Sequence, residues 1–187
     1  MGNSGIYITL AVIGLPLIIA IAMYNGLVAK RNGVANVYGT LDAMLQKRYD
    51  LVPNLVATVK GYATHERELL ERVIQLRGEA QSGATLQDRA AASEGLSAAL
   101  GQVIGLAEAY PELKASANFL HLQASLNEIE EQISAARRAF NAAVTDYNNA
   151  VETFPSSIIA GMFGFTKNDW FQIADAQRQN PNLAGSF

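Results

Sequence analysis

The chain has no cysteine, two histidines, one tryptophan and, before Lys30, no charged side chain at all. Without thiols there is no disulfide, no thiolate nucleophile and no Cys-based metal site. The histidines offer little more. Di-iron sites in helical bundles need Glu-x-x-His on two helices, whereas Tyr62 and Asn118 stand three residues before His65 and His121. His65-Glu66-Arg67-Glu68-Leu69 opens like a zinc-protease motif, but Leu69 occupies the place of the second His. Gly101-x-x-x-Gly105 is not followed by Lys-Ser or Lys-Thr, and no nucleophile elbow or dinucleotide fingerprint occurs. The expectation is therefore no enzyme: no catalytic residue, no cofactor-binding residue, no metal ligand and no cofactor. A net charge of −3 supplies no basic field, so nucleic acid is not an expected partner.

What the chain does have is a long apolar beginning. Residues 6–27 read IYITLAVIGLPLIIAIAMYNGL. As a helix rising about 1.5 Å per residue they cover roughly 33 Å, enough for a hydrocarbon core of about 30 Å. A cleavable signal peptide would carry a basic start and a small-residue cleavage site; Met1 to Gly5 has no Lys or Arg, and Tyr24-Asn25 closes the stretch. A myristoylation signal is rejected because the sixth position is Ile6. The reading is a retained anchor, with the lipid bilayer as partner through residues 6–27. Lys30 and Arg31, then Lys47 and Arg48, lie on its C-terminal side only, which places the soluble part in the cytoplasm by the positive-inside rule. Gly14 and Pro16 are tolerated inside a span.

Beyond the anchor the apolar residues keep a helical period. Val34, Val37, Leu41, Met44 and Leu51 recur at threes and fours with Arg48 in the same register, and Leu55, Val59, Tyr62, Leu69, Val73 and Leu76 follow. Pro53 divides the two blocks and predicts a kink or break around Leu51 to Val52. Gly78 to Gln87 reads as a loop. A third helix is predicted from Asp88 to Ala109, ending near Pro111. The longest signal is Leu122, Leu126, Ile129, Ile133, Ala136, Phe140, Val144, Tyr147, Val151 and Phe154, a heptad-like stripe that stops at Pro155. The predicted fold is all-α: an N-terminal transmembrane helix followed by an antiparallel four-helix bundle with long coiled-coil-like helices. The expected organisation is 1–29 tail and anchor, 30–155 helical bundle, and 156–187 an apolar docking segment with a polar tail that is poorly ordered from Gln177.

Three groups stand out as candidate sites. Arg48, Tyr49, Asp50, Pro53 and Asn54 form a polar cluster in which Arg48, lying in the apolar register, needs a carboxylate from Asp42, Asp50 or a Glu on another helix. A buried pair fixing helix register and a partner-binding notch both fit it. Ala91, Gly95, Ala98 and Gly105 make a small-residue face, suited to close packing within the chain or to self-association. Phe163, Phe165, Trp170 and Phe171 belong to a nearly uncharged segment that docks back on the bundle or touches the membrane.

The blocks Tyr24-Asn25-x-Leu27-Val28-x-x-Arg31-Asn32-x-Val34, Lys47-Arg48-Tyr49-Asp50-Leu51-Val52-Pro53-Asn54-Leu55-Val56 and Lys60-Gly61-Tyr62-Ala63-x-His65-Glu66 resemble the bacterial LemA family. Tyr110-Pro111-Glu112-Leu113-Lys114-Ala115, Asn118-Phe119, Ala135-Ala136-Arg137-Arg138, Asp146-Tyr147-Asn148 and Phe154-Pro155-Ser156 extend the likeness over nearly the whole chain. Gly39, Thr40 and Trp170 are small departures. The resemblance implies a membrane-anchored helical bundle in the bacterial inner membrane, with no enzymatic activity or cofactor attached to it. Together with the residues it leads to the expectation of a non-enzymatic scaffold that self-associates or organises unidentified membrane proteins. The alternative is an adaptor or regulatory subunit of a membrane protease or phosphatase.

Overall fold

The computed structural model describes the backbone of residues 2–172 and the side chains of residues 12–172. The chain is all-α, with no strand among the described residues. Among the described residues six α-helices follow one another: α1 Gly2–Lys60, α2 Arg67–Ser82, α3 Leu86–Gly105, α4 Pro111–Lys114, α5 Ala117–Glu152 and α6 Ser156–Phe163, with a 3-10 turn at Leu106–Glu108 after α3. The polar tail from Gln177 lies outside the described residues. Two compact units divide the chain, one drawn from Met1–Gly39 and Ala139–Asp169, the other from Thr40–Arg138 and the segment beginning at Trp170.

Helix α1 is longer than the periodicity predicts, because it continues through Leu51, Val52 and Pro53 without a break. Proline has no N–H, so the carbonyl four residues earlier, that of Tyr49, loses its helical donor. Arg77 of α2 replaces it, donating from Nε to the Tyr49 carbonyl at 2.7 Å. Pro53 itself faces solvent, so its ring displaces no core contact. The chain leaves the helix only after Lys60, at Gly61–Glu66, where Gly61 and Tyr62 close turns onto the carbonyls of Thr58 and Val59.

In the Thr40–Arg138 unit, α1 buries Leu41, Leu45, Tyr49, Val52, Leu55 and Val59. Those intervals are all threes and fours and make one continuous stripe. Each such aliphatic side chain contributes about 1.5–3 kcal/mol when removed from water, which is what sustains a helix through a proline. Helix α2 reaches Ser82, five residues into the stretch read as a loop. Ala80 there is fully buried, so packing overrides the cost of about 1 kcal/mol for a helical glycine at Gly78. Thr85 and Asp88 then form a reciprocal capping box: Thr85 Oγ1 accepts from the Asp88 N–H at 3.0 Å, and an Asp88 carboxylate oxygen accepts from the Thr85 N–H at 3.2 Å. This starts α3 two residues earlier than predicted. Helices α2 and α3 lie against each other, and a β-carbon at Gly95 would come within 3.1 Å of Leu76 Cδ2. Pro111 opens α4 in its first turn. Phe119, Leu122, Leu126, Ile133 and Ala136 of α5 close this core.

In the other unit, Leu27 and Val34 of α1 are buried, as are Phe140, Val144 and Tyr147 of α5. Tyr38 lies against Phe140 with ring centroids 5.6 Å apart. Earlier in α1, Val12, Ile13, Leu15, Leu17, Ile18, Ile19 and Ile21 are all exposed. Those positions fall on every side of the helix. A soluble helix shows a polar outer face, whereas a helix apolar all round belongs in a core or in lipid. By length and composition this is a helix able to cross a membrane.

Candidate functional site

The candidate site grows from one residue of α1. Arg48 falls on the buried stripe, and its side chain is 0% exposed. A guanidinium cannot give up its charge inside a protein, so it needs a counter-charge and acceptors for its fork of donors. Glu130 of α5 supplies the charge, with Oε1 accepting from Arg48 Nη1 at 2.7 Å. Two hydroxyls of α3 add acceptors: Nη1 donates to Ser97 Oγ at 2.7 Å and Nη2 to Ser93 Oγ at 2.6 Å, while Nε is buried with no hydrogen-bond partner among the described residues. Ser97 Oγ also lies 3.0 Å from Glu130 Oε2 and 3.2 Å from the Ser93 carbonyl, the two acceptors within reach of its single proton. Three helices are thereby tied at one point by charge-assisted hydrogen bonds.

Glu130 is the exposed end of this network, 33% accessible where Arg48 is closed off. It opens into a groove of about 570 Å³ between α3 and α5, lined by Ser93, Glu94, Ser97, Glu131 and Arg137 among others. Arg137 Nη1 reaches across to Glu94 Oε2 at 3.2 Å and bridges the two helices. With Glu130 paired to Arg48 and Glu94 to Arg137, Glu131 leaves the groove mildly acidic.

Next to Arg48, Tyr49 is also buried, and burial pushes its phenol above the usual tyrosine value, with the charges of Arg48 and Arg89 pulling the other way. Arg89 pairs with Asp42 at 2.6 Å. The other members of the sequence cluster turn outward. Asp50 accepts from Gln46 Nε2 at 2.7 Å, Pro53 is exposed, and Asn54 is exposed with its carbonyl taken by Thr58 Oγ1 at 2.8 Å. Of the three sources considered for Arg48's carboxylate, the structure uses the Glu on another helix. Sequence reading missed Ser93 and Ser97 as its partners, and it named a Glu on another helix without singling out Glu130. The available signal was that Ser93 and Ser97 stand at i and i+4, on one face of α3.

The small residues of α3 do not share one environment. Gly95 faces Leu76, Ala91 is half-buried, Ala98 is exposed beside the groove, and Gly105 is exposed with nothing within 4 Å of a built β-carbon. Of the C-terminal aromatics, Phe165 and Phe171 are buried, while Phe163 and Trp170 are exposed. His65 and His121 are both on the surface. Among the described residues no three His, Asp or Glu side chains gather as a metal site.

Fold and site together define an all-α protein with an apolar N-terminal helix of membrane-spanning length and a buried arginine that joins α1 to α5 by an ion pair and to α3 by hydrogen bonds. The chain belongs to the LemA family, whose model matches residues 38–184. It is similar to the magnetosome protein MamQ of Magnetospirillum gryphiswaldense, at 25% identity covering 91% of this chain and 74% of that protein. Protein LemA of Metamycoplasma hominis is 24% identical, covering 89% of this chain and 76% of its own. MamQ 2 of Paramagnetospirillum magneticum is 24% identical over 80% of this chain, which spans 64% of that protein. The family match begins at residue 38, so the apolar start of α1 is read from its own physics.

Proposed function

We propose that this protein is a non-enzymatic scaffold, anchored in a bacterial cytoplasmic membrane by residues 6–27, whose helical part self-associates or holds partner proteins at the bilayer. One observation carries the reading. The helix that bears exposed apolar residues all round from Val12 to Ile21 is the same unbroken helix that carries the buried stripe and Arg48. An anchor of that kind and a packed core, built on one helix, make a platform. The finer architecture we propose for the soluble part is an antiparallel four-helix bundle. Arg48, Arg77, Ser97 and Glu130 support it, since they link α1, α2, α3 and α5 through side chains. Lys30 and Arg31 support a cytoplasmic soluble part. The relatives named as magnetosome proteins favour a membrane role over a catalytic one.

The test is the mass distribution of the full-length protein in native nanodiscs, by mass photometry. Assemblies of more than one copy, or a complex with a fixed second component, are expected. A single-copy mass with nothing captured by cross-linking contradicts the proposal.

The groove between α3 and α5 favours a second reading, an adaptor or regulatory subunit of a membrane protease or phosphatase. Its charged rim offers a partner paired and unpaired carboxylates. Stoichiometric co-purification with one such enzyme supports this reading, and its absence together with self-assembly returns the weight to the scaffold.

A further inference from the structure

Helix α6 is inverted relative to the rule for a surface helix. Its sequence SSIIAGMF carries no charge. Ala160 is its buried contact, while Ile158 and Met162, four apart on one face, are exposed together with Phe163. Phe154, just before it, is exposed as well. An outward face should be polar in water.

The segment is held firmly in place. Gly164, at φ +70, turns the chain at the end of α6 in the left-handed conformation that a side chain disfavours, and the Phe165 N–H returns to the Ala160 carbonyl at 2.9 Å. Tyr147 of α5 donates its hydroxyl to the Thr166 carbonyl at 2.9 Å. Asn148 holds Asn168 twice, donating to its carbonyl and accepting from its N–H, each at 2.9 Å. Lys167 pairs with Glu152 at 2.7 Å. These contacts fix the inward side and leave the apolar outward side uncovered.

What covers it follows from where α6 meets α1. Phe163 lies against Tyr24 with ring centroids 4.8 Å apart, and Phe165 meets Tyr24 edge-on at 5.7 Å. Tyr24 stands in the last turn of the 6–27 stretch, the level at which tyrosine rings occupy the interface of a bilayer. Lys30, six residues on, is about 9 Å further along the helix, and Arg31 lies over the Phe165 ring at 5.3 Å. The apolar face of α6 is therefore at headgroup depth, beside basic residues suited to anionic lipid.

We propose that α6 is a second membrane contact, lying in the bilayer interface with Phe154, Ile158, Met162 and Phe163 inserted among the upper acyl chains. This rests on the membrane-anchored reading above and adds to it a lipid-binding element far from the anchor in sequence. Phe165 and Phe171, being buried, take no part, and the contact is shallow as expected of an interfacial helix.

The experiment uses the full-length chain with its single tryptophan removed by Trp170→Phe, reconstituted in vesicles of phosphatidylcholine and phosphatidylglycerol. New tryptophans are placed one at a time by Ile158→Trp and Met162→Trp, both exposed positions that accept the ring, with Ile18→Trp as the span reference; circular dichroism checks helicity. Lipids brominated either near the carbonyl or near the chain end act as quenchers. Ile158→Trp and Met162→Trp are expected to lose about half of their emission to the shallow bromines and less to the deep ones, while Ile18→Trp responds most to the deep bromines. Quenching of Ile18→Trp without quenching at either α6 position overturns the proposal and leaves the anchor intact. A blue-shifted but unquenched α6 signal also overturns it, because protein then covers the face. An unquenched Ile18→Trp removes the anchor on which both readings stand.

Discussion

Arg48 gives α1 its register. A buried guanidinium is costly to desolvate, and its attraction to Glu130 offsets that cost together with the hydrogen bonds to Ser97 and Ser93, even though its Nε is left without a partner. Removing one partner is then worse than removing both. Glu130→Ala leaves the Arg48 charge facing two hydroxyls and is expected to cost about 3 kcal/mol or somewhat less, since Glu130 is partly wetted. Arg48→Met paired with Glu130→Leu is expected to cost less than Glu130→Ala. Thermal unfolding of the unaltered protein and the two variants in one detergent, followed by circular dichroism, reads the order directly; equal losses in the two variants contradict it. Only part of this was legible in the sequence. The placement of Arg48 among apolar residues announced a buried cation needing a carboxylate, but choosing Glu130 required knowing which turn of α5 comes level with Arg48. Helical period alone does not carry that cross-helix register, and it puts Glu130 on the solvated side.

At the scale of elements, Pro53 shows why a local rule fails. The rule that proline interrupts a helix rests on an orphaned carbonyl and a ring clash. Here the carbonyl of Tyr49 has found Arg77, a donor from a helix that sequence reading could not bring near it. Arg77→Ala is expected to cost about 1–3 kcal/mol as the carbonyl goes unpaired. In a Pro53→Ala background the backbone N–H returns, and Arg77→Ala is expected to cost distinctly less. A double-mutant cycle on unfolding midpoints measures the coupling, and strict additivity denies it. The same principle explains the loop misread over Gly78 to Gln87, where buried Ala80 extends α2 and the turn shrinks to the residues before the Thr85–Asp88 cap. Long periodic stripes were legible: of the α5 positions read as apolar seam, Leu122, Leu126, Ile133, Ala136, Phe140, Val144 and Tyr147 are buried. Phe154, read as the end of that seam, is 77% exposed because α5 stops at Glu152.

For the whole molecule, one long helix has two solvents. From Leu27 onward α1 buries one stripe and wets the rest, as a helix of a soluble core does; before it, the large apolar side chains from Val12 to Ile21 are exposed. Burial of that surface in lipid is the simplest way to satisfy it, and the apolar stretch itself was legible in the sequence because length and lack of charge need no tertiary contact to be read. Charged residues at the centre of a span cost about 2.5–3.5 kcal/mol each on insertion scales, so the account has a sharp consequence. The decisive measurement is alkaline carbonate extraction of membranes from cells expressing the full chain, alongside the double variant Ile13→Arg with Ile18→Arg. The protein is expected to stay in the membrane pellet and the variant to move largely to the supernatant; release of the unaltered protein by carbonate would contradict the anchor and with it the scaffold built on it.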